Sequence, residues 1–413
     1  MRAERQPRWR PAWFLDLERD GERVPLYFRG ERGETDHGVY ALEHELRVLQ
    51  VLEAHGIPVP HVFGFCPEPR GIVMQRCAGR ANLATAESQA EREAVLDHYV
   101  EILARMHEID VAAFEAVGLR RPATPEQRAL LDFDAWERAY RRNKRRPEPA
   151  IEFLIRWVRR EVPRDRTRDA FVCCDAGQFL FERGRVTAVI DLELACLGDP
   201  AADLGGMRGR DLSEPLGDLS RAIRRYEALR GAAVDRRALD YHTVRFGAVT
   251  PMAVAHLTAA PPPGIDLVQY LAWYLVWTRG PLEVIAERSG LELEAAAPGR
   301  RATEPSAAPR PDAADFEAYR ADREARLATY RERLARMGPE LEAEDLDEVA
   351  SLLGGRPSGR AEADRALEEL IRGAGPERDA ALIPYLHRRT RRQEAILAPV
   401  MRELEGARIQ RIG

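Results

Sequence analysis

Between Phe171 and Leu192 a chain that has read as helix for a long stretch turns back to strand. Three β-rich runs stand there, Phe171 to Cys174, Phe179 to Phe181 and Val186 to Ile190, with Arg183, Gly184 and Arg185 punctuating the last two. The first and last runs each end on an aspartate, Asp175 and Asp191. Turns at strand ends hold a side chain rigidly while leaving it reachable from solvent. One carboxylate that positions a hydroxyl and another that holds a divalent cation are what phosphoryl transfer asks of a protein. Taken singly, either residue is equally an ordinary turn aspartate.

The rest of the chain separates into two patterns. Trp13 to Glu18 and Val24 to Arg29 flank Asp20-Gly21, the signature of a hairpin, and the Trp13 strand is expected to be the first. Leu42, Leu46, Leu49 and Leu52 recur at helical spacing over Val39 to Ala54, and Gly56 ends the run. His61 to Phe65 and Gly71 to Met74 are two further short strands. Residues 1–75 thus predict strand-strand-helix-strand-strand, a small sheet carrying one helix. Helices are expected over Glu91–His107, Pro125–Arg145 and Ala150–Val162, and again over Leu216–Leu229, Arg236–Ala259 and Asp266–Ser289. No internal repeat is evident.

Composition narrows the function classes. In 413 residues with a net charge of -5, binding nucleic acid through overall charge is not expected. The five cysteines form no C-x-x-C pair, which argues against a zinc ribbon or dithiol redox site and fits free thiols in a reducing compartment. No apolar run approaches the ~20 residues of a membrane span, and the arginine-rich start lacks the apolar core of a signal peptide. A cytoplasmic chain with no membrane contact is the expectation.

Ile190-Asp191-Leu192-Glu193, followed by Gly198-Asp199-Pro200 and Asp203-Leu204, resembles the signature of the aminoglycoside phosphotransferase/choline kinase-like superfamily. The bacterial branch resembling the kinase-like domain joined to acyl-CoA dehydrogenases is the nearest in pattern. Glu45 to Leu49, Ile57 to Pro60, Val73 to Arg76 and Leu103 to His107 fit the same order, so the likeness covers roughly residues 12–290. It implies an α+β, bilobal protein-kinase-like fold. Residues 1–76 would form a nucleotide-binding N-lobe, 77–294 a catalytic and substrate-binding C-lobe, 295–312 a linker, and 313–413 an appended C-terminal helical region. It also implies ATP and Mg²⁺, and transfer of a phosphoryl group to a small hydroxyl-bearing molecule; antibiotics, choline-like alcohols and hydroxyacyl-CoA-like acceptors all fall within it. By this resemblance Asp175 matches the catalytic aspartate, Asp191 the main Mg²⁺ ligand, and Asp203 a buried aspartate supporting the loop. Gln75 to Cys77 would meet adenine through the backbone.

Lysine usage sharpens the expectation. Of 63 basic residues, Lys144 is the only lysine. Kinase-like folds hold the α/β-phosphates with a cation on the third N-lobe strand, paired with a helix glutamate. Lys144 lies far past that strand, which leaves Arg29 as the substitute and Glu45 as its partner. Arginine suits phosphate as a bidentate fork. Three departures from the family pattern bear on activity. Cys173-Cys174-Asp175 stands for His-Gly-Asp. The loop to the next strand is two residues short, so Gln178 takes the place of the second metal-binding residue, an asparagine. The Gly-rich turn between the first two strands is absent, with Arg2, Arg5, Arg8 and Arg10 in its place. The alternative is a kinase-like module that binds nucleotide or scaffolds without catalysis.

Other features carry bland readings beside sharp ones. Arg138 to Arg146 around Trp136 and Tyr140 is a solvated helix end or a phosphate-recognising cluster. Met207 to Asp211 follows Asp203 toward the substrate side. Tyr270, Trp273, Tyr274 and Trp277 repeat as a core stripe, and His107 fits a core position. Phe316 onward reads as amphipathic helices that either pack on the C-lobe or offer a homodimer or partner surface.

Overall fold

The Asp-Gly pair makes the expected turn, with Asp20 and Gly21 both at positive φ (54° and 79°). It joins β2 (Ala12–Arg19) to β3 (Glu22–Gly30), which pair from Ala12 against Arg29 to Arg19 against Glu22. The computed structural model describes residues 2–6, 10–31, 39–293 and 316–413. The Trp13 strand is not the first: β1 (Arg2–Arg5) lies antiparallel to β2, and Gln6 N–H closes the hairpin on Ala12 O at 2.8 Å. Its sequence, Arg-Ala-Glu-Arg, has almost no apolar face and so gives no strand signal. Two paired strands therefore precede β3 where one is expected, and, as expected, no glycine lies between them in sequence. Arg8 lies outside the described residues.

Helix α1 (Leu42–Ala54) follows, then β4 (Val62–Pro67) and β5 (Arg70–Gln75). The sheet order is β1-β2-β3-β5-β4. Leu42, Val48, Leu49 and Leu52 of α1 bury against Ile72 and Met74 of β5, which fixes the face of α1 that carries Glu45.

The second lobe begins with α2 (Gln89–Met106), capped by Ser88, and the short α3 (Val111–Glu115). The single helix expected over Pro125–Arg145 is two, α4 (Pro125–Leu130) and α5 (Phe133–Asn143), broken where Leu131 takes φ 56°. Then come α6 (Pro149–Arg160), β6 (Ala170–Val172), the β7 (Phe179–Glu182) and β8 (Arg185–Val189) hairpin, and β9 (Cys196–Gly198), which pairs with β6. An unexpected helix, α7 (Ala201–Arg210), follows; Gly205, Gly206 and Gly209 mask it in sequence, since glycine is a poor helix former. Helices α8 (Leu219–Arg230), α9 (Arg236–Ala259) and α10 (Leu267–Arg288) complete the lobe. Tyr270, Tyr274 and Trp277 are buried, as a core stripe should be.

The expected linker, 295–312, lies outside the described residues. Beyond it, α11 (Phe316–Leu353), α12 (Arg360–Gly373) and α13 (Asp379–Leu397) pack on the C-lobe. Val349, Leu367 and Leu386 share one apolar core with Ile151, Val244 and Ile285. The sole lysine serves this junction: Lys144 Nζ lies 2.7 Å from Glu152 and 2.6 Å from Glu368. Arg141 and Arg146 of the basic run are also engaged, on Glu152 and Glu148. The residues after α13 return to the C-lobe, where the Gln410 amide donates to Asp211 (2.8 Å) and to Gly217 O (2.6 Å). Among the described residues no helix is long and apolar enough to cross a membrane.

Candidate active site

The floor of the site is built from the end of β6. Fully buried Asp203, on α7, accepts the N–H groups of Cys173 (3.0 Å) and Cys174 (2.8 Å), one on each oxygen. His107 Nε2 sits 3.0 Å from the same carboxylate, and His107 Nδ1 lies 2.7 Å from the Tyr226 hydroxyl. His107 is a core residue, and its work there is to hold Asp203. Cys174 takes φ 64°, a conformation costly for a side-chain-bearing residue. Helix α7 runs so close that a Cβ on Gly206 would lie 2.3 Å from the Cys174 carbonyl oxygen. These contacts fix where Asp175 stands.

Asp175 is gripped from two sides. Arg210 Nε donates to Oδ1 at 2.8 Å and its NH2 group donates to Oδ2, while the Gln178 amide donates to Oδ2 at 2.7 Å. Burial pushes the Asp175 carboxyl up; Arg210 opposes this, and nearby Asp191 adds to it. The balance leaves it above the usual aspartate range.

Asp191 follows β8 at φ 60°. Its carboxylate is ion-paired with Arg29 of β3, whose Nε lies 2.7 Å from Glu45 and whose NH2 lies 3.2 Å from Glu193. Arg10, nearly buried in the β1–β2 turn, pairs with Glu193. Burial pushes Asp191 up, but the guanidiniums of Arg29, Arg10 and Arg210 outweigh it and hold the group well below the ordinary range. Glu45 also accepts the Leu192 N–H at 3.2 Å, tying α1 to the segment after β8. Two carboxylates a hairpin apart are thus driven in opposite directions.

Of the residues singled out in sequence, Arg29, Glu45 and Asp191 form one connected chain, and Gln178 joins Asp175. Gln75 and Cys77 stand apart: Gln75 pairs with Leu26, three residues along β3 from Arg29, about 10 Å at strand spacing. The Cys77 thiol lies 3.9 Å from Gln75 O, where the chain leaves the sheet. Arg210 and Arg10 lie in segments the sequence singles out, but their carboxylate partners are not readable there. Arg210 lies 35 residues from Asp175, and the run Gly205, Gly206, Gly209 hints at an element packed tightly there.

Residues 12–245, more than half of the chain, match the model of APH, the phosphotransferase enzyme family. The chain belongs to this family. It is 30% identical over 208 residues to acyl-CoA dehydrogenase family member 10 of Mus musculus, a match covering 47% of this chain and 19% of that protein. With family member 11 of Rattus norvegicus it shares 28% over 209 residues, 47% of this chain and 26% of the other. The matches thus span a fifth to a quarter of those relatives' length. A solved Ralstonia eutropha protein assigned to the aminoglycoside phosphotransferases aligns with TM-score 0.50 and 20% identity, over 66% of this chain and 88% of that one. It shares the kinase-like fold, with its small antiparallel sheet and helical second lobe.

Proposed function

We propose that this family member transfers the γ-phosphoryl group of ATP, with Mg²⁺, to the hydroxyl of a small molecule. The observation that carries the reading is the Glu45–Arg29–Asp191 chain of ion pairs standing beside Asp175. Arg29, anchored by Glu45 and strongly held in its charged form, is the cation for the α/β-phosphates. Arg10 in the β1–β2 turn lends a second positive group to the same end of the cleft.

The residues present fit a magnesium ion. Asp191 stays ionised, and Gln178, whose amide nitrogen faces Asp175, keeps its oxygen for a hard cation. Among the described residues no three His, Cys, Asp or Glu side chains cluster as a metal cage. A site with so few protein ligands suits Mg²⁺, which takes most of its shell from phosphate oxygens and water. Bound there, the ion would neutralise charge developing on the transferred group. Asp175 orients the acceptor hydroxyl and takes its proton at a carboxylate oxygen, and the raised affinity of that carboxylate for protons favours the task. The Gln75–Cys77 backbone, where the chain passes between the lobes, is the place for adenine.

Because the relatives are named for acyl-CoA chemistry, a hydroxyacyl-CoA is the first acceptor to assay. Asp175→Asn should lower turnover by about 10³-fold while leaving ATP affinity within about threefold. Asp191→Asn should abolish Mg²⁺-dependent ATP binding by calorimetry. Full turnover in Asp175→Asn, or no ATP binding by the wild type, would overturn the reading. The two-pronged Arg210 grip on Asp175 favours a second reading, a nucleotide-binding module without turnover; ATP binding with no product across hydroxyl acceptors would select it.

A further inference from the structure

Two thiols lie underneath Asp175. The sulfur of buried Cys174 is 3.4 Å from that of Cys196, which is partly exposed on β9. The β6–β9 pairing, Val172 opposite Cys196, holds the two residues together, and Cys174 packs with Val172 and Ala202 in a small apolar cluster. Beside them stands Arg245, 1% exposed, with Asp132 at 3.9 Å and with Nε and one terminal nitrogen lacking any hydrogen-bond partner. The hydrogen bond with the Cys196 sulfur, then burial, disfavour a Cys174 thiolate, and the Arg245 charge opposes them. Cys196 is the sulfur an oxidant from solvent meets first.

We infer that Cys174 and Cys196 form a reversible disulfide that moves Asp175 out of working position. The effect on transfer rests on the role proposed for Asp175; the bond itself does not. With a peroxide as oxidant, the Cys196 thiolate attacks one peroxide oxygen, the O–O bond breaks, and hydroxide leaves a sulfenic acid on Cys196. The Cys174 sulfur then attacks the sulfenic sulfur and the S–O bond breaks. The departing hydroxide takes the Cys174 proton as water. Two thiols lose two electrons and the peroxide is reduced to two waters. To reach the bonding distance of about 2.05 Å the sulfurs must close by about 1.4 Å. Cys174 has little slack, because Asp203 holds its N–H and Gly206 presses on its carbonyl. The displacement is therefore passed to the next residue, Asp175. A shift of about 1 Å at a reacting group costs on the order of 10²-fold in rate.

The test treats the reduced full chain with hydrogen peroxide. Free thiols should fall from five to three, the intact mass by about 2 Da for the two hydrogens lost. Peptide mapping should join Cys174 to Cys196. Turnover should drop by about 10- to 100-fold and return with dithiothreitol. The Gly177 amide, bonded to the Tyr99 hydroxyl at 2.7 Å, should lose hydrogen-exchange protection on oxidation, a readout that needs no turnover. Cys196→Ser should keep its four thiols, its Gly177 protection and its turnover under the same treatment. Five surviving thiols, a bond to Cys173 or between two chains, or a disulfide that leaves Gly177 protection unchanged would overturn the inference. A Cys174–Cys196 bond that shifts Gly177 in a chain with no turnover even when reduced would sink the phosphotransferase reading and leave the disulfide standing.

Discussion

Two of the partly buried networks of basic side chains and carboxylates repay comparison, because only one of them looks like a place for chemistry. Between α5, α6 and α12, Lys144, Arg141 and Arg372 surround Glu152 and Glu368, and Tyr140 donates to Glu152 at 3.1 Å. Every contributor there sits on a helix or just beyond one. In the cleft, Asp191 stands at positive φ, and the segment leading to Asp175 passes through Cys174 at positive φ. The partners there come from both lobes. Buried ion pairs alone therefore do not mark a site: they are common devices for joining helices. What sets the cleft apart is strained backbone and contributors from two lobes.

The contrast can be broken by substitution. Glu45→Gln should have the largest effect, lowering kcat/KM for ATP by about 10³-fold through a misdirected Arg29; the stability loss should be small, because the amide oxygen can still accept the Leu192 N–H and Arg29 keeps Asp191 and Glu193. Glu368→Ala should do the reverse: about 2 kcal/mol less stability in urea unfolding and unchanged kinetics, since it leaves the buried Glu148 N–H without its acceptor and Lys144 with Glu152 alone. A kinetic defect in Glu368→Ala would erase the distinction between the networks.

The same contrast explains what sequence conveys. Asp175 and Asp191 are legible as strand-end residues, a local signal, but their roles and that of Arg29 rest on the family resemblance, to which the lysine count adds only that Lys144 cannot stand in Arg29's place. Strand β1 was hidden by a charged sequence that buries nothing, and α7 by three glycines needed for close approach rather than for helix formation. Arg210 and Arg10 act across long separations, so their partners depend on how elements dock. Local patterns do not encode that.

Two smaller effects sharpen the comparison. Burial pushes Asp211, which accepts the Leu216 N–H and the Gln410 amide, up to about 6. From about pH 4 to 6 the folded chain holds a proton there that the unfolded chain releases, so this group's contribution to stability falls as pH rises. Asp211→Asn, a mimic of the protonated form, should remove that slope. The wild-type-minus-variant difference in unfolding free energy should change by at most about 3 kcal/mol over this range. Arg210→Gln removes the positive group opposing burial at Asp175. The acid limb of kcat/KM should then move up by about one pH unit, costing roughly tenfold on the acid side of the limb and little on its plateau. An unmoved limb would show that Arg210 does not act on Asp175.

The Gln410–Asp211 hydrogen bond also sets an order of events in the cell. Gln410 is translated 199 residues after Asp211. At ribosomal rates of about 5–20 residues per second, that gap is roughly 10–40 s. For that interval the nascent chain carries the helix of Arg210 without the amide that covers its end. The segment facing Asp175 acquires its final packing only after Gln410 has been made.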